Sequence, residues 1–164
     1  MSFVKRSDKK AFFGVVVDKT TTFYRMKGFT EISTSKNAQE YSRKYVDMDH
    51  EETDVIGFAE SISIAFDQHT DNACHNDIVE IFDREKTGTA AVREIVVVDF
   101  TQPVEGQEGY YKARKRSYSV IPSDEGSDTD KYGYSATLKV KGDMIEGTAT
   151  TKDEWQTAEF TENE

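Results

Sequence analysis

The sequence predicts a mainly β chain with one α-helix, and three observations carry that expectation. Residues 61–67 alternate cleanly, with Ile62, Ile64 and Phe66 on one side and Ser61, Ser63 and Asp67 on the other. The run 110–121, YYKARKRSYSVI, is a long strand with polar residues on both faces. A single stretch, 72–86, carries apolar residues at helical spacing, with Ile78, Ile81, Phe82 and Glu85 three and four apart.

The first strand is 12–17, FFGVVV, an apolar run that reads as buried on both faces. A polar turn at 18–21 separates it from a second strand over 22–26, and Gly28 breaks the chain before a third over 29–34. Residues 35–54 have no firm pattern and little to bury, so an extended arm or long loop is expected there. The strand 61–67 follows. The helix over 72–86 is capped by Asp71 or Asn72, carries Asp77 early, and has Gly88 for a left-handed stop. Next comes the strand 91–101, AVREIVVVDFT, with Val92, Val96, Val98 and Phe100 sharing a face. The strand 110–121 leads into 122–130, PSDEGSDTD, which reads as an acidic turn. Residues 132–140 alternate Tyr132, Tyr134, Ala136, Leu138 and Val140 with smaller polar groups. Lys141, Gly142 and Asp143 form a tight hairpin into 144–151, and the last strand covers 155–161.

The strand 110–121 is the most telling of these. Lys112, Arg114 and Arg116 fall on one face, while Ala113, Lys115, Ser117 and Ser119 fall on the other. At roughly 3.3 Å per residue it spans about 40 Å. A small β domain has too little core to cover both faces over that reach, so the strand is expected to pair with, or face, other subunits.

The 164 residues suit one domain, 1–164, with the arm at 35–54. Ten Phe and eight Tyr argue against disorder. A formal net charge of −10 disfavours a protein that grips nucleic acid by its phosphates. Cys74 stands alone, so no internal disulfide forms. The start, MSFVKRSDKK, lacks the apolar run of a signal peptide, and no stretch approaches the roughly eighteen apolar residues of a membrane span. No membrane partner is expected.

Catalytic and metal motifs are absent from the pattern. His50, His69 and His75 lack zinc spacing, and Cys74 and His75 are adjacent, so they diverge by about 100° on a helix, whose start is expected to be solvated or part-buried. The acidic run Asp47, Asp49, Glu51, Glu52, Asp54 resembles a calcium loop, but Glu52 stands where glycine is needed and Phe58 where a bidentate acid is needed. Nucleophile elbows, phosphate loops and dinucleotide fingerprints do not occur. Glu94 and Asp99 face opposite ways on one strand, which disfavours a carboxylate dyad. No enzyme activity and no cofactor are expected. The basic run 112–116 is expected to pair with carboxylates of the same or neighbouring subunits.

The run MKGFTEISTSKNAQEYSRKYVDMDHEETDVIGFAESISIAFD resembles the N-terminal half of tail tube (major tail) proteins from phages and prophages of Gram-positive bacteria. IVEIFDREKTGTAAVREIVVVDF, KARKRSYSVIPSDEG and YGYSATLKVKGDMIEGTAT are similar to the second half. The resemblance covers roughly Phe23 to Phe160. Ala38 departs from a common proline and Met48 from an acid, both within the arm.

The resemblance implies a β-sandwich or partial barrel flanked by one helix, with strands contributed to a barrel shared around a six-membered ring. Stacked rings would form a hollow conduit for a genome, located in a virion tail assembled in the host cytoplasm. The implied partners are other copies of the chain and other tail proteins such as tape measure, baseplate or terminator. DNA would be met only in passing. Tyr41, Arg43 and Tyr45 in the arm, with Lys112, Arg114 and Arg116, are the candidate subunit-interface residues. A net acidic lumen would repel phosphates. Two other functions fit less well: the tube of a contractile bacteriocin or type VI-like injection system, and a monomeric β-sandwich binding module.

Overall fold

A computed structural model of the chain describes residues 2–163. Eleven strands and one α-helix follow in the order β1 (Lys9–Val17), β2 (Thr20–Arg25), β3 (Phe29–Ser35), β4 (Ala38–Arg43), β5 (Glu52–Phe58), β6 (Ser61–Asp67), α1 (Ala73–Asp83), β7 (Val92–Pro103), β8 (Tyr111–Glu125), β9 (Gly133–Val140), β10 (Ile145–Thr150) and β11 (Thr157–Glu162). Nine strands form one antiparallel sheet in the order β10-β11-β2-β1-β7-β8-β9-β6-β3, and β10 also pairs with β8. That extra pairing closes β10, β11, β2, β1, β7 and β8 into a six-stranded barrel. β9, β6 and β3 continue the sheet from the second half of β8.

The two halves of β8 explain its two-faced pattern. Its first half lies between β7 and β10, with Val98 opposite Ala113 and Gly147 opposite the same residue. Its second half lies between β7 and β9, and β7 stops at the Val92–Ser119 pair. Ala113 therefore points into the barrel with Phe12, Phe23, Val96, Val98, Ala149 and Ala158. Tyr118 and Val120 point the other way, into a second core with Phe13, Ile95, Ile64, Phe66, Leu138 and the helix. The strand expected to leave its core thus threads two cores, and beyond Lys112 and Arg114 its exposed part is the end at 121–125. Those residues extend a strand where an acidic turn was expected, because β9 supplies partners as far as Glu125.

A second correction concerns the turn at Lys141–Asp143. β9 and β10 do not pair as a hairpin. Both lie antiparallel on the same side of β8, β9 along 118–125 and β10 along 111–115, so the chain continues forward instead of reversing. The expected reversal does occur at Asp18 and Lys19, whose φ values of 50° and 65° give a two-residue turn joining Val17 to Thr20.

The helix is shorter than the sequence pattern suggests. Asn72 caps it, its side chain accepting from the backbone N–H groups of Cys74 and His75. It ends at Asp83, because Glu85 takes the left-handed position (φ 49°) while Lys86 N–H donates back to Ile81 and Glu85 N–H to Phe82. Glu85 is therefore the terminator and not part of the apolar stripe. Gly88 lies further on, opening a 3-10 turn that leads to β7. Cys74 and His75 are both fully buried, against the expected wet helix start. α1 packs against β1, β2 and β8, so a wide arc of its first turns is covered. Cys74 Sγ approaches the carbonyls of Tyr24 and Arg25, while His75 stacks on Phe66 at 4.3 Å.

Residues expected to form an arm or loop at 35–54 contain β4 and the start of β5. These two strands make a separate two-stranded sheet, with Ala38 opposite Phe58 and Arg43 opposite Glu52. The strand character was hidden because neither face of the hairpin is buried by the body, so no alternation was imposed on its residues.

Candidate assembly surfaces

The outer, barrel-continuous face of the β8-β9-β6-β3 section carries hydroxyls and small groups in register. Ser33 lies opposite Ser63 and that serine opposite Thr137, and the row ends at an apolar residue, Ile121 on β8. In the next row Ser35, Ser61, Lys139 and Ser119 align across the four strands. Glu31, Ala65, Ser135 and Asp124 form a third row. Three carboxylates (Glu31, Asp67, Asp124) and one cation, Lys139, stand on this face, and Lys131 pairs with Asp67 at 3.0 Å, which leaves the face slightly acidic. Its opposite face is the apolar layer of Ile62, Ile64, Phe66, Leu138 and Val120 that α1 and the barrel cover. This section also has two free edges, β3 on one side and residues 120–125 of β8 on the other.

Tyr41, Arg43 and Tyr45 come together on one face of the β4–β5 hairpin, as their spacing of two requires. The Arg43 guanidinium lies 5.5 Å from the Tyr41 ring and 5.6 Å from the Tyr45 ring. It donates to Asp54 Oδ2 at 2.6 Å and reaches Glu52 at 3.7 Å. The hydrogen bond to Asp54, then that involving Tyr45, hold the Arg43 pKa above its ordinary value. Absent from the sequence-derived candidates were Val55, Ile56 and Phe58 on β5, which are 58%, 67% and 55% exposed. The clustered apolar residues of TDVIGF were the available signal.

The basic run divides. Arg114 and Arg116 share the helix-side face with Tyr118, opposite the hydroxyl rows. Arg116 Nη1 lies 3.3 Å from Glu60 Oε2, and its Nε donates to the Gly142 carbonyl at 2.8 Å. Lys115 pairs with Glu94 at 3.5 Å. Among the described residues, neither Lys112 nor Arg114 has a carboxylate within ion-pair distance.

Glu60, which the sequence did not single out, is the hub of the hairpin base. It is buried, accepts from Tyr118 Oη at 2.6 Å, and pairs with Lys36 at 3.0 Å as well as with Arg116. Burial pushes its carboxyl up, but hydrogen bonds from Tyr118 and Lys36 and the charges of Lys36 and Arg116 outweigh that and leave it below the ordinary value. The same burial, reinforced by Glu60, raises the Tyr118 hydroxyl. Beside it, Asn37 adopts φ 46° and its side-chain amide donates to the Ala59 carbonyl at 3.0 Å. The hairpin thus leaves the body through a polar latch of defined geometry.

No family model matches the chain, and no curated protein matches it. Among solved structures, it is similar to a chain in the tail of an empty gene transfer agent particle refined with C6 symmetry. The two share 14% identity with a TM-score of 0.62, over 92% of this chain and 100% of that one. It is also similar to a chain in the virion of a native gene transfer agent particle, at 14% identity and a TM-score of 0.58, over 87% of this chain and 97% of that one. The chain shares its mainly β fold with these two particle components.

Proposed function

We propose that this chain is a self-assembling structural subunit of a phage-like tail tube. One observation carries the proposal: a four-stranded section with two free edges, apolar on one face and a net acidic carpet of serines and threonines on the other. A free edge presents unpaired backbone groups, and pairing β3 of one copy with residues 120–125 of β8 in the next satisfies both. Repeated around a closed ring, that pairing builds a barrel whose inner wall is the hydroxyl face. The shared fold with a tail component of C6 symmetry supports six copies per ring. Stacked rings then form a conduit in a virion tail, meeting other tail proteins at its ends.

The wall chemistry suits passage of DNA. Short hydroxyl side chains offer no cationic grip, and the surplus of carboxylates repels phosphates within about 8 Å at physiological salt. Arg114 and Arg116 stand on the opposite face, away from that wall. Tyr41, Arg43 and Tyr45 act as contact residues of the hairpin towards neighbouring copies.

Negative-stain microscopy and analytical ultracentrifugation of concentrated protein test the proposal. Rings or tubes are expected, and Thr34→Pro on β3, which removes a backbone donor from the edge turned away from β6, abolishes them while the subunit stays folded. A monodisperse monomer at every concentration and salt overturns it.

A further inference from the structure

The mouth of the helix-side core, at the end away from α1, is a groove of about 340 Å³ between β3 and β6 on one side and β1, β7 and β8 on the other. Its floor is apolar, formed by Ile62, Ile95, Val97 and Met144. Five cations line it: Arg6, Lys9, Lys36, Arg114 and Arg116. The lining holds one carboxylate, Glu60, whose oxygens are already taken by Tyr118, Lys36 and Arg116. Lys9 has only a distant partner, Asp99 at 4.0 Å. The groove therefore presents uncompensated positive charge around an apolar bottom.

The tip of the β4–β5 hairpin has the complementary chemistry. Residues 44–51, KYVDMDHE, carry Asp47, Asp49 and Glu51 against Lys44, and Val46 is fully exposed between them. Among the described residues none of those three carboxylates forms an ion pair, since Arg43 is engaged by Asp54 and Glu52 below the tip. The hairpin cannot fill its own groove. Its base, at Lys36 and Glu60, is the rim of that groove, and six-residue β4 carries the tip about 20 Å away.

We propose that the groove receives the acidic hairpin tip of a second copy, with Val46 on the apolar floor and Asp47 and Asp49 against Arg114 and Lys9. This inference rests on the self-assembly proposed above and names the contact that assembly uses. Charge complementarity sets the register and the choice of partner, and desolvation of Val46 over Ile62 and Val97 contributes the apolar part.

Site-directed disulfide formation tests it. Val46→Cys protein is mixed with Met144→Cys protein under oxidising conditions, the native Cys74 being buried and unreactive. A covalent dimer is expected. Lys9→Glu with Arg114→Glu on the Met144→Cys copy lowers its yield by about tenfold, and Asp47→Lys with Asp49→Lys on the other copy restores it. Circular dichroism of each variant verifies folding, since none of the four reversed residues is buried. No dimer, a dimer indifferent to charge reversal, or cross-linking within one monomer carrying both cysteines overturns the docking. Rings without the cross-link sink the docking and leave the tube reading standing. A charge-dependent cross-link without rings sinks the tube reading and leaves the docking.

Discussion

Strands β1 and β5 have similar apolar cores and opposite fates. β1 reads AFFGVV around Gly14, and β5 reads DVIGF around Gly57. Phe12 and Phe13 are fully buried, one in the barrel and one in the helix-side core, so β1 is covered on both faces. Val55, Ile56 and Phe58 are more than half exposed on a hairpin that pairs only with itself. Even the glycines differ. A Cβ on Gly14 would stand 3.0 Å from the Glu94 carbonyl and the Phe23 ring, whereas one on Gly57 would meet nothing within 4 Å. Apolar content alone does not create a core. β1 is closed over by β2, β7 and α1, while β5 pairs only with β4 and keeps its apolar residues exposed.

The sharpest test of this contrast is truncation of the aromatics. Phe12→Ala and Phe13→Ala are each expected to lower subunit stability by about 3–5 kcal/mol, measured by urea denaturation. Phe58→Ser is expected to change it by less than about 0.5 kcal/mol, yet to weaken assembly. A large loss for Phe58→Ser in the isolated subunit would mean that the hairpin packs on the body.

Glu60 lies on the boundary between the two regions. Glu60→Gln removes the charge that gathers Lys36, Arg116 and Tyr118, and is expected to cost about 2 kcal/mol. If the hub orients the hairpin, hydrogen exchange in 38–58 also rises; unchanged exchange would confine Glu60 to the body.

The glycine pair gives a smaller effect. Gly14→Ala is expected to lose about 1–3 kcal/mol through overpacking, and Gly57→Ala to stay within about 0.5 kcal/mol of the parent. Equal effects would erase the packing contrast.

The mildest expectation concerns pH. Burial pushes the His75 imidazole down, as does His69, against the opposing pull of the Lys27 backbone and, more weakly, of Asp71 and Asp67. His75 Nδ1 accepts from the His69 backbone N–H at 3.2 Å, and Nε2 has no partner among the described residues. The folded state thus holds the ring neutral while the unfolded chain takes up a proton near 6.5. Stability from this group is complete above that pH and falls as pH drops below it, until the folded ring itself protonates. Urea midpoints at pH 7.5 and pH 5.5 measure the slope, and His75→Phe should flatten it.

Much of the body was legible in the chain. The alternation of Ile62, Ile64 and Phe66 gave β6 its bounds, and FFGVVV announced a strand buried on both faces at Phe12 and Phe13, although its end at Val16 and Val17 is exposed, where β1 runs past the core. Those signals are local: side-chain period and turn chemistry act within a few residues, and the core only ratifies them. What could not be read were the contacts between distant segments. Closure of the barrel needs β10 to meet β8, thirty residues earlier, and no local pattern distinguishes that from a β9–β10 hairpin. The split of β8 between two cores follows from where its neighbours end. Glu60 became a hub only when the fold brought Lys36, Arg116 and Tyr118 to it, from positions up to 58 residues away. Tyr41, Arg43 and Tyr45 were named for their residue types alone, and their meeting on one face of a hairpin beside an apolar β5 required the pairing of 38–43 with 52–58. Periodicity is written in neighbouring residues, whereas strand order and the meeting of charges are decided by chain closure, whose free energy is settled only when the whole sheet forms.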